Sequence, residues 1–288
     1  MSLPILARNR GGAFAAGPAA PAAASSTYTL DASNEVTVTP IAHWDASKMD
    51  GTDNSAWTDG HTVNEAATGS YSSGSIWEDR TGNFSLRGSA TGADQPVFVA
   101  SHTLLNSKPA VDFEDKEAYF YETDNSALKR LDVSEANGWS VYIVASQDTS
   151  TNHGVLLAGN VSENGGTGYY RWQFYYNTSL IIKAYGTAPN SGNITETIAS
   201  INGKRFVVGV TSTTASGSTT RIKKNGDGSF TEVDDPDNSF DLKFDDVNDT
   251  SDASKFKGHV AEMIFFDESL DDTDNTAVES YLTTKYDI

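Results

Sequence analysis

The run Val260 to Phe266, VAEMIFF, constrains this chain most. It is short, rich in bulky apolar side chains and broken by one charge, Glu262. Such a run fits a strand buried on both faces, because both sides of the pleat are apolar. Gly258, just before it, marks a place where the strand bends or another backbone comes close. A buried Glu262 needs a partner, and an Arg or a backbone amide would serve. After a turn over Asp267 to Leu270, the acids Asp271, Asp272 and Asp274 suit the positive end of a helix. Ala277, Val278, Tyr281 and Leu282 then recur at helical spacing, and Lys285 falls in the last turn. The spacing predicts a core strand followed by one amphipathic helix that lids a sheet.

The rest of the chain alternates short strand patterns with turn signals. Strands are expected near Lys108 to Glu114, Trp139 to Ser146, Leu156 to Gly159, Tyr169 to Tyr176, Ser179 to Tyr185, Arg205 to Thr211 and Thr220 to Lys224. Val111 and Phe113 should face inward, with Asp112 and Glu114 outward. Asn177-Thr178 should turn one hairpin, and Asn225-Gly226 carries a type I′ signal for another. Asp79 should order the turn ending at Gly82 through side-chain bonds to the backbone. Regular strand spacing with one terminal helix predicts a two-sheet antiparallel sandwich. Patterning is poor over residues 190–220 and 234–255.

Residues 1–27 differ in kind, being rich in Ala, Gly and Pro. They cannot bury enough apolar surface to fold alone. Their apolar piece precedes Arg8 and Arg10, which is the wrong order for a secretory signal. Leu3, Ile5, Leu6 and Phe14, with Arg8 and Arg10, suggest an arm that docks on a neighbouring subunit. We divide the chain into this arm with a lead-in strand (1–40) and one globular domain (41–288).

Several motifs, taken in order, carry a resemblance. These are Trp44-Asp45 at the domain start, the W-x-D-x-[ST]-G pattern at Trp77 to Gly82, and the proline-led strand at Lys108 to Glu114. The strand at Trp139, the Asn225-Gly226 turn, and the final strand and helix ending in Y-L-x-x-K-Y follow. Together they resemble the concanavalin A-like (laminin-G-like) jelly rolls, from about residue 41 to the C-terminus. The resemblance implies an all-β, two-sheet antiparallel jelly-roll sandwich with one C-terminal helix, preceded here by the extended arm. Such domains occur in bacteriophage virion proteins, bacterial surface proteins and secreted carbohydrate-active proteins.

Charge narrows the partners. The formal net charge is −19, with 20 Lys plus Arg against 39 Asp plus Glu. That disfavours nucleic acid and anionic lipid, and no apolar stretch is long enough to insert in a membrane as a helix. There is no cysteine, so disulfides and thiolate metal sites are excluded. The family's retaining hydrolases carry E-x-D-x-x-E on one strand, to hold two carboxylates close together. Asp112 to Glu117 reads D-x-E-x-x-E instead, so no catalytic residue is assigned. The five histidines are scattered and form no metalloprotease or serine-hydrolase signature. His43 and His259 read as packed residues.

Two binding chemistries remain. Asp245, Asp246, Asn248 and Asp249 form a candidate calcium set, although the stretch lacks the glycine and the final glutamate of an EF-hand. In YYRWQFYY, Tyr170, Trp172, Phe174 and Tyr176 form one face and suit the core. Tyr169, Arg171, Gln173 and Tyr175 form the other, a candidate carbohydrate face to which Trp57 is added as an exposed aromatic. The resulting expectation is a non-enzymatic virion structural protein, a capsid decoration or fibre component, oligomeric within the particle. It would contact other virion proteins through its arm and host-surface glycans through its domain. The alternatives are a secreted or cell-surface carbohydrate-binding module and a glycoside hydrolase.

Overall fold

The computed structural model describes residues 27–63, 76–83, 85–88, 95–113, 120–122, 131–133, 138–147, 153–160, 169–175, 179–184, 193–197, 201, 203–212, 218–235, 242–244, 246–247, 256 and 258–288. The chain forms an antiparallel β-sandwich with one C-terminal helix, Asp272–Tyr286.

The first eight-stranded sheet is built around His259–Phe266, whose eight residues are all buried. Trp139–Gln147 pairs along one side of it, and is itself buried throughout. The other side is shared. Ala42–Asp45 pairs with residues 262–265, and Lys108–Asp112 pairs with His259 and Val260. From Trp139–Gln147 the sheet continues through Lys204–Ser212 and Ser218–Lys224 to Thr231–Asp235. Val97–His102 closes the opposite edge. Alternation splits the central strands between two apolar clusters. Trp44, Val141, Ile143, Val208, Met263 and Phe265 belong to the cluster between the sheets. Tyr142, Val144, Val207, Ala261, Ile264 and Phe266 belong to the cluster beneath the helix. This is why the last strand reads as continuously apolar: both its faces are covered.

Gly258 meets its expectation through close approach. A Cβ there would lie 2.0 Å from the carbonyl oxygen of Ser146. Gly258→Ala should therefore cost about 1–3 kcal/mol through forced backbone displacement, read as a lower urea midpoint with an unchanged m-value.

Val278, Tyr281, Leu282 and Tyr286 of the helix are buried, at spacings that form one face. The Asp271 carboxylate caps it, accepting from the amides of Thr273 and Asp274. The lead-in strand is a two-stranded hairpin, Tyr28–Thr29 with Glu35–Val36. Its Leu30 and Val36 pack into the cluster beneath the helix. Thr37 ties it there, its amide and hydroxyl donating to the Asp274 carboxylate at 3.0 and 2.6 Å.

The turn at Asp79 forms as expected: its carboxylate accepts from the Thr81 amide at 2.7 Å, and Gly82 takes φ 75°. Val111 and Phe113 are fully buried, with Asp112 half-buried on the other side. The turn after Ser218–Lys224 is different from the expected type I′. Six residues separate the strands, and the positive φ falls on Gly226 (94°) and not on Asn225. The Asp227 carboxylate accepting from the Lys224 amide supplies the local closure instead.

The second eight-stranded sheet runs Asn193–Thr197, Ser179–Ala184, Tyr169–Tyr175, His153–Asn160, Asp246–Val247, Phe120–Glu122, Ser85–Gly88, Trp77–Glu78. The strand at Leu156 to Gly159 is thus longer than the pattern suggested. Poorly patterned residues 193–197 and 246–247 also enter the sheet. Leu131–Val133 and Leu242–Phe244 make a separate two-stranded pair.

Candidate functional site

Two features bear on function: a buried ionic cluster under the helix, and the face of the second sheet that lies opposite the core.

The cluster grows from Glu262. Its direct cross-strand neighbour is Asp45, and His43 shares Asp45's face two residues away. Glu262 Oε1 accepts from His43 Nε2 at 2.6 Å and from the Tyr281 hydroxyl at 2.8 Å. Oε2 accepts from Lys285 Nζ at 2.7 Å and from the Tyr286 hydroxyl at 2.8 Å. Lys285 spends its remaining hydrogens on Asp45 Oδ2 at 2.8 Å and the Tyr281 oxygen at 3.0 Å. His43 Nδ1 accepts from the Tyr28 hydroxyl at 3.0 Å, which fixes the neutral tautomer with its proton on Nε2. Arg80 Nη1 sits 3.3 Å from the same Nδ1. Every charge therefore has a partner, as burial demands.

His43, Asp45 and Glu262 present ligand atoms within 4.8 Å of one another. The Lys285 ammonium bonds to two of the three, so it occupies the cation position itself. The cluster fastens the helix to the sheet. Sequence reasoning placed Glu262 in need of a partner but named an Arg or an amide. Lys285 was read only as a favourable charge at the helix end. The missed signal is spacing: Lys285 stands four residues after Tyr281, on the buried face of the helix.

Burial holds the His43 imidazole below its ordinary 6.5, against the pull of Glu262. Burial alone would raise Glu262, but Lys285 and His43 outweigh it and hold the carboxyl below its usual 4.5. Burial opposes the Lys285 charge, yet Glu262 and Asp45 raise it above 10.5. The signs give a window. His43 and Glu262, both depressed on folding, contribute stability that is full above their unfolded values and lost as pH falls through the folded ones. Lys285, raised on folding, contributes stability lost only as pH climbs past 10.5. His43→Gln should remove the part of the stability loss between about pH 7 and pH 5 that His43 causes. Urea midpoints of both proteins across that range check it.

The second feature rests on register. Trp77 and Leu86 pair and are both in the core between the sheets. Two residues on from Leu86, Gly88 pairs with Phe120, and the same row continues through Val247, Leu157, Trp172 and Ile182 to Ile194. Directly paired residues share a face. Trp172 thus lies in this backbone row, with Tyr170 and Phe174 two residues to either side of it along the strand. Tyr169, Arg171, Gln173 and Tyr175 alternate with these along the same strand. Their partners in the next strand are Lys183 for Arg171, Ile181 for Gln173 and Ser179 for Tyr175. Asn193, Thr195 and Thr197 extend those rows.

Trp57 does not belong with them. It is 6% exposed, packs in the core at 5.6 Å from the Phe98 ring, and donates Nε1–H to Asp50 at 2.9 Å. A ring closed on both faces cannot stack on a sugar, so Trp57 is a core residue. Of the calcium set, Asp246 begins a strand paired with Ala158 and Tyr121, in the middle of the sheet. Asp245, Asn248 and Asp249 lie outside the described residues, as do Leu3, Ile5, Leu6, Arg8, Arg10 and Phe14 of the arm, and Tyr176. Asp112 pairs with His259 in the first sheet. Glu114 and Glu117 of the same acidic string are also outside the described residues.

No protein-family model matches the sequence, and no curated protein matches it. Among solved structures, the chain is similar to the botulinum neurotoxin serotype D binding domain, at 10% identity and a TM-score of 0.51. That likeness covers 85% of this chain and 53% of that one, so this chain spans about half its length. The fold is an antiparallel β-sandwich with one C-terminal helix. It is also similar to domain 4 of AbnA, a GH43 extracellular arabinanase from Geobacillus stearothermophilus, in complex with arabinotriose. There the identity is 13% and the TM-score 0.45, over 86% of this chain and 98% of that one. Full-length tailspike protein 2 from an Escherichia coli O157:H7 bacteriophage matches at 11% identity and a TM-score of 0.46, over 67% and 26% of the two chains.

Proposed function

We propose that the chain is a non-enzymatic structural and adhesion module of a bacteriophage virion, with a concanavalin A-like sandwich displayed outward. The carrying observation is the division between the two outer faces. The helix covers that of the first sheet and is bolted there by a saturated ionic cluster. In strand register, Tyr175, Gln173 and Arg171 pair with Ser179, Ile181 and Lys183, and Thr197, Thr195 and Asn193 extend those rows. Aromatic faces interleaved with amide and hydroxyl groups suit sugar rings and their hydroxyls. Residues 1–26 serve as the anchor, contacting other virion proteins. The motif resemblance supports the virion setting, and calcium binding by the acidic stretch 245–249 belongs to the same proposal.

Intact mass with limited proteolysis, on material from the natural source, tests this reading. A mass that includes the N-terminal segment, with protease resistance there until the particle is dissociated, supports the assembly role. A mass beginning near Ala24 to Thr27 contradicts it and makes the chain a secreted or cell-surface carbohydrate-binding module.

A further inference from the structure

The lead-in hairpin, Tyr28–Thr29 with Glu35–Val36, joins neither large sheet. So short a hairpin has little stability of its own, and what holds it in place is its docking. Leu30 and Val36 bury apolar surface beneath the helix, and Thr37 is bound to the Asp274 carboxylate. Two further ties converge on one imidazole, that of His43. The Tyr28 hydroxyl donates to Nδ1 at 3.0 Å. Arg80 reaches the carbonyl oxygens of Thr29 and Leu30 at 3.5 Å, while its Nη1 stands 3.3 Å from the same Nδ1. The Arg80 guanidinium also lies over the Tyr28 ring, 5.8 Å from its centroid. The hairpin's hold therefore depends on a lone pair of a fully buried ring.

We propose that the hairpin is an acid-released strap: a proton taken up on His43 Nδ1 drives Arg80 off and frees residues 28–36, while the two sheets stay folded. Nε2 already carries a hydrogen, donated to Glu262, so a second proton has only Nδ1 to take. The Tyr28 hydroxyl can turn and accept from the new N–H. The Arg80 guanidinium cannot: it has no acceptor, it is already charged, and it stands 3.3 Å away. The rest of the cluster tolerates the added charge. Facing His43 are Glu262 and Asp45 from its own sheet, Asp79 and Arg80 from the turn, Tyr28 from the hairpin, and Lys285 and Tyr281 from the helix. Three carboxylates, Glu262, Asp45 and Asp79, against the two cations Arg80 and Lys285 leave one negative charge for an imidazolium to balance. The conflict is thus local to Arg80 and the strap it holds. Burial keeps the imidazole below its ordinary 6.5, so release belongs to acid and not to neutral pH. The strap carries residues 1–26. Its consequence rests on reading that segment as an anchor: acid slackens the anchor's link to the domain and bares Leu30 and Val36.

Amide hydrogen exchange of the whole chain at about pH 7.5 and about pH 5 tests this, read as protection factors so that the intrinsic pH dependence of exchange drops out. Protection over residues 28–37 should fall at least about tenfold between the two, while Trp139–Gln147 and His259–Phe266 change by less than about threefold. In His43→Gln, which cannot take up the proton, hairpin protection should be the same at both pH values. Arg80→Gln removes the repelled charge, so the hairpin should be less protected at neutral pH and lose most of its acid response. That variant keeps the test open if His43→Gln fails to fold. Equal protection of the wild-type hairpin at both pH values overturns the proposal, and so does a loss shared equally by the hairpin and the two strands. A fall that survives in His43→Gln also overturns it, by placing the titrating group elsewhere, such as the Asp274 carboxylate that holds Thr37. The readout needs no partner, so its failure leaves the anchor reading intact, and failure of the anchor reading leaves the strap.

Discussion

Glu262→Ala should lower stability by about 3–5 kcal/mol, the usual cost of removing one partner of a buried ion pair. The carboxylate accepts four hydrogen bonds, from His43, Tyr281, Lys285 and Tyr286. Removing it strands two buried tyrosine hydroxyls and a buried imidazole N–H, and leaves Lys285 held by Asp45 alone among the carboxylates. Each unsatisfied buried group costs about 1–3 kcal/mol before relaxation. For a chain of this size that corresponds to a thermal midpoint lower by roughly 6–20 °C. Urea unfolding and a thermal scan give both quantities. A loss under about 1 kcal/mol would mean that water reaches the site and replaces the carboxylate.

Lys285→Met should cost a similar amount, about 3–5 kcal/mol, but with the opposite response to pH. The apolar stem is kept, so packing against the Tyr281 and Tyr286 rings survives. What is lost is the charge between Asp45 and Glu262, direct cross-strand neighbours. Two buried carboxylates without a cation cannot both stay ionised, and one is driven to take a proton. The variant should gain stability relative to wild type as pH falls from about 7 toward about 5, where that proton becomes available. Combined with Glu262→Ala, the loss should be well below the sum of the single losses, because both substitutions empty the same cluster. Additive losses would mean that the two residues act independently.

Much of the architecture was legible because periodicity and turn chemistry are local. VAEMIFF had to be a strand covered on both faces, and Gly258 had to mark a bend or a close approach. The acids from Asp271 had to open a helix. The strand expected at YYRWQFYY forms over Tyr169–Tyr175 and pairs with Ser179–Ala184, as a hairpin signal there implied. The ionic cluster was not legible, because its members come from residues 28, 43, 45, 262, 281, 285 and 286, and only strand pairing brings them together. Trp57 misled for a related reason. A Trp amid Gly, Asp and Asn reads as exposed, but Asp50 satisfies its N–H and lets the ring enter the core. The pairing of Arg171 with Lys183 likewise needed register, since twelve positions separate them in the chain.

Glycan binding by the whole chain, with Tyr175→Ala beside it, tests the central claim that the second sheet's outer face is the binding surface. Tyr175 pairs with Ser179 in the strand register. The account predicts that a saccharide binds the wild type and that Tyr175→Ala weakens it about tenfold or more. A role in binding and not in folding leaves the thermal midpoint within a degree or two. Saccharide binding that survives Tyr175→Ala unchanged, or the absence of any binding, would contradict it.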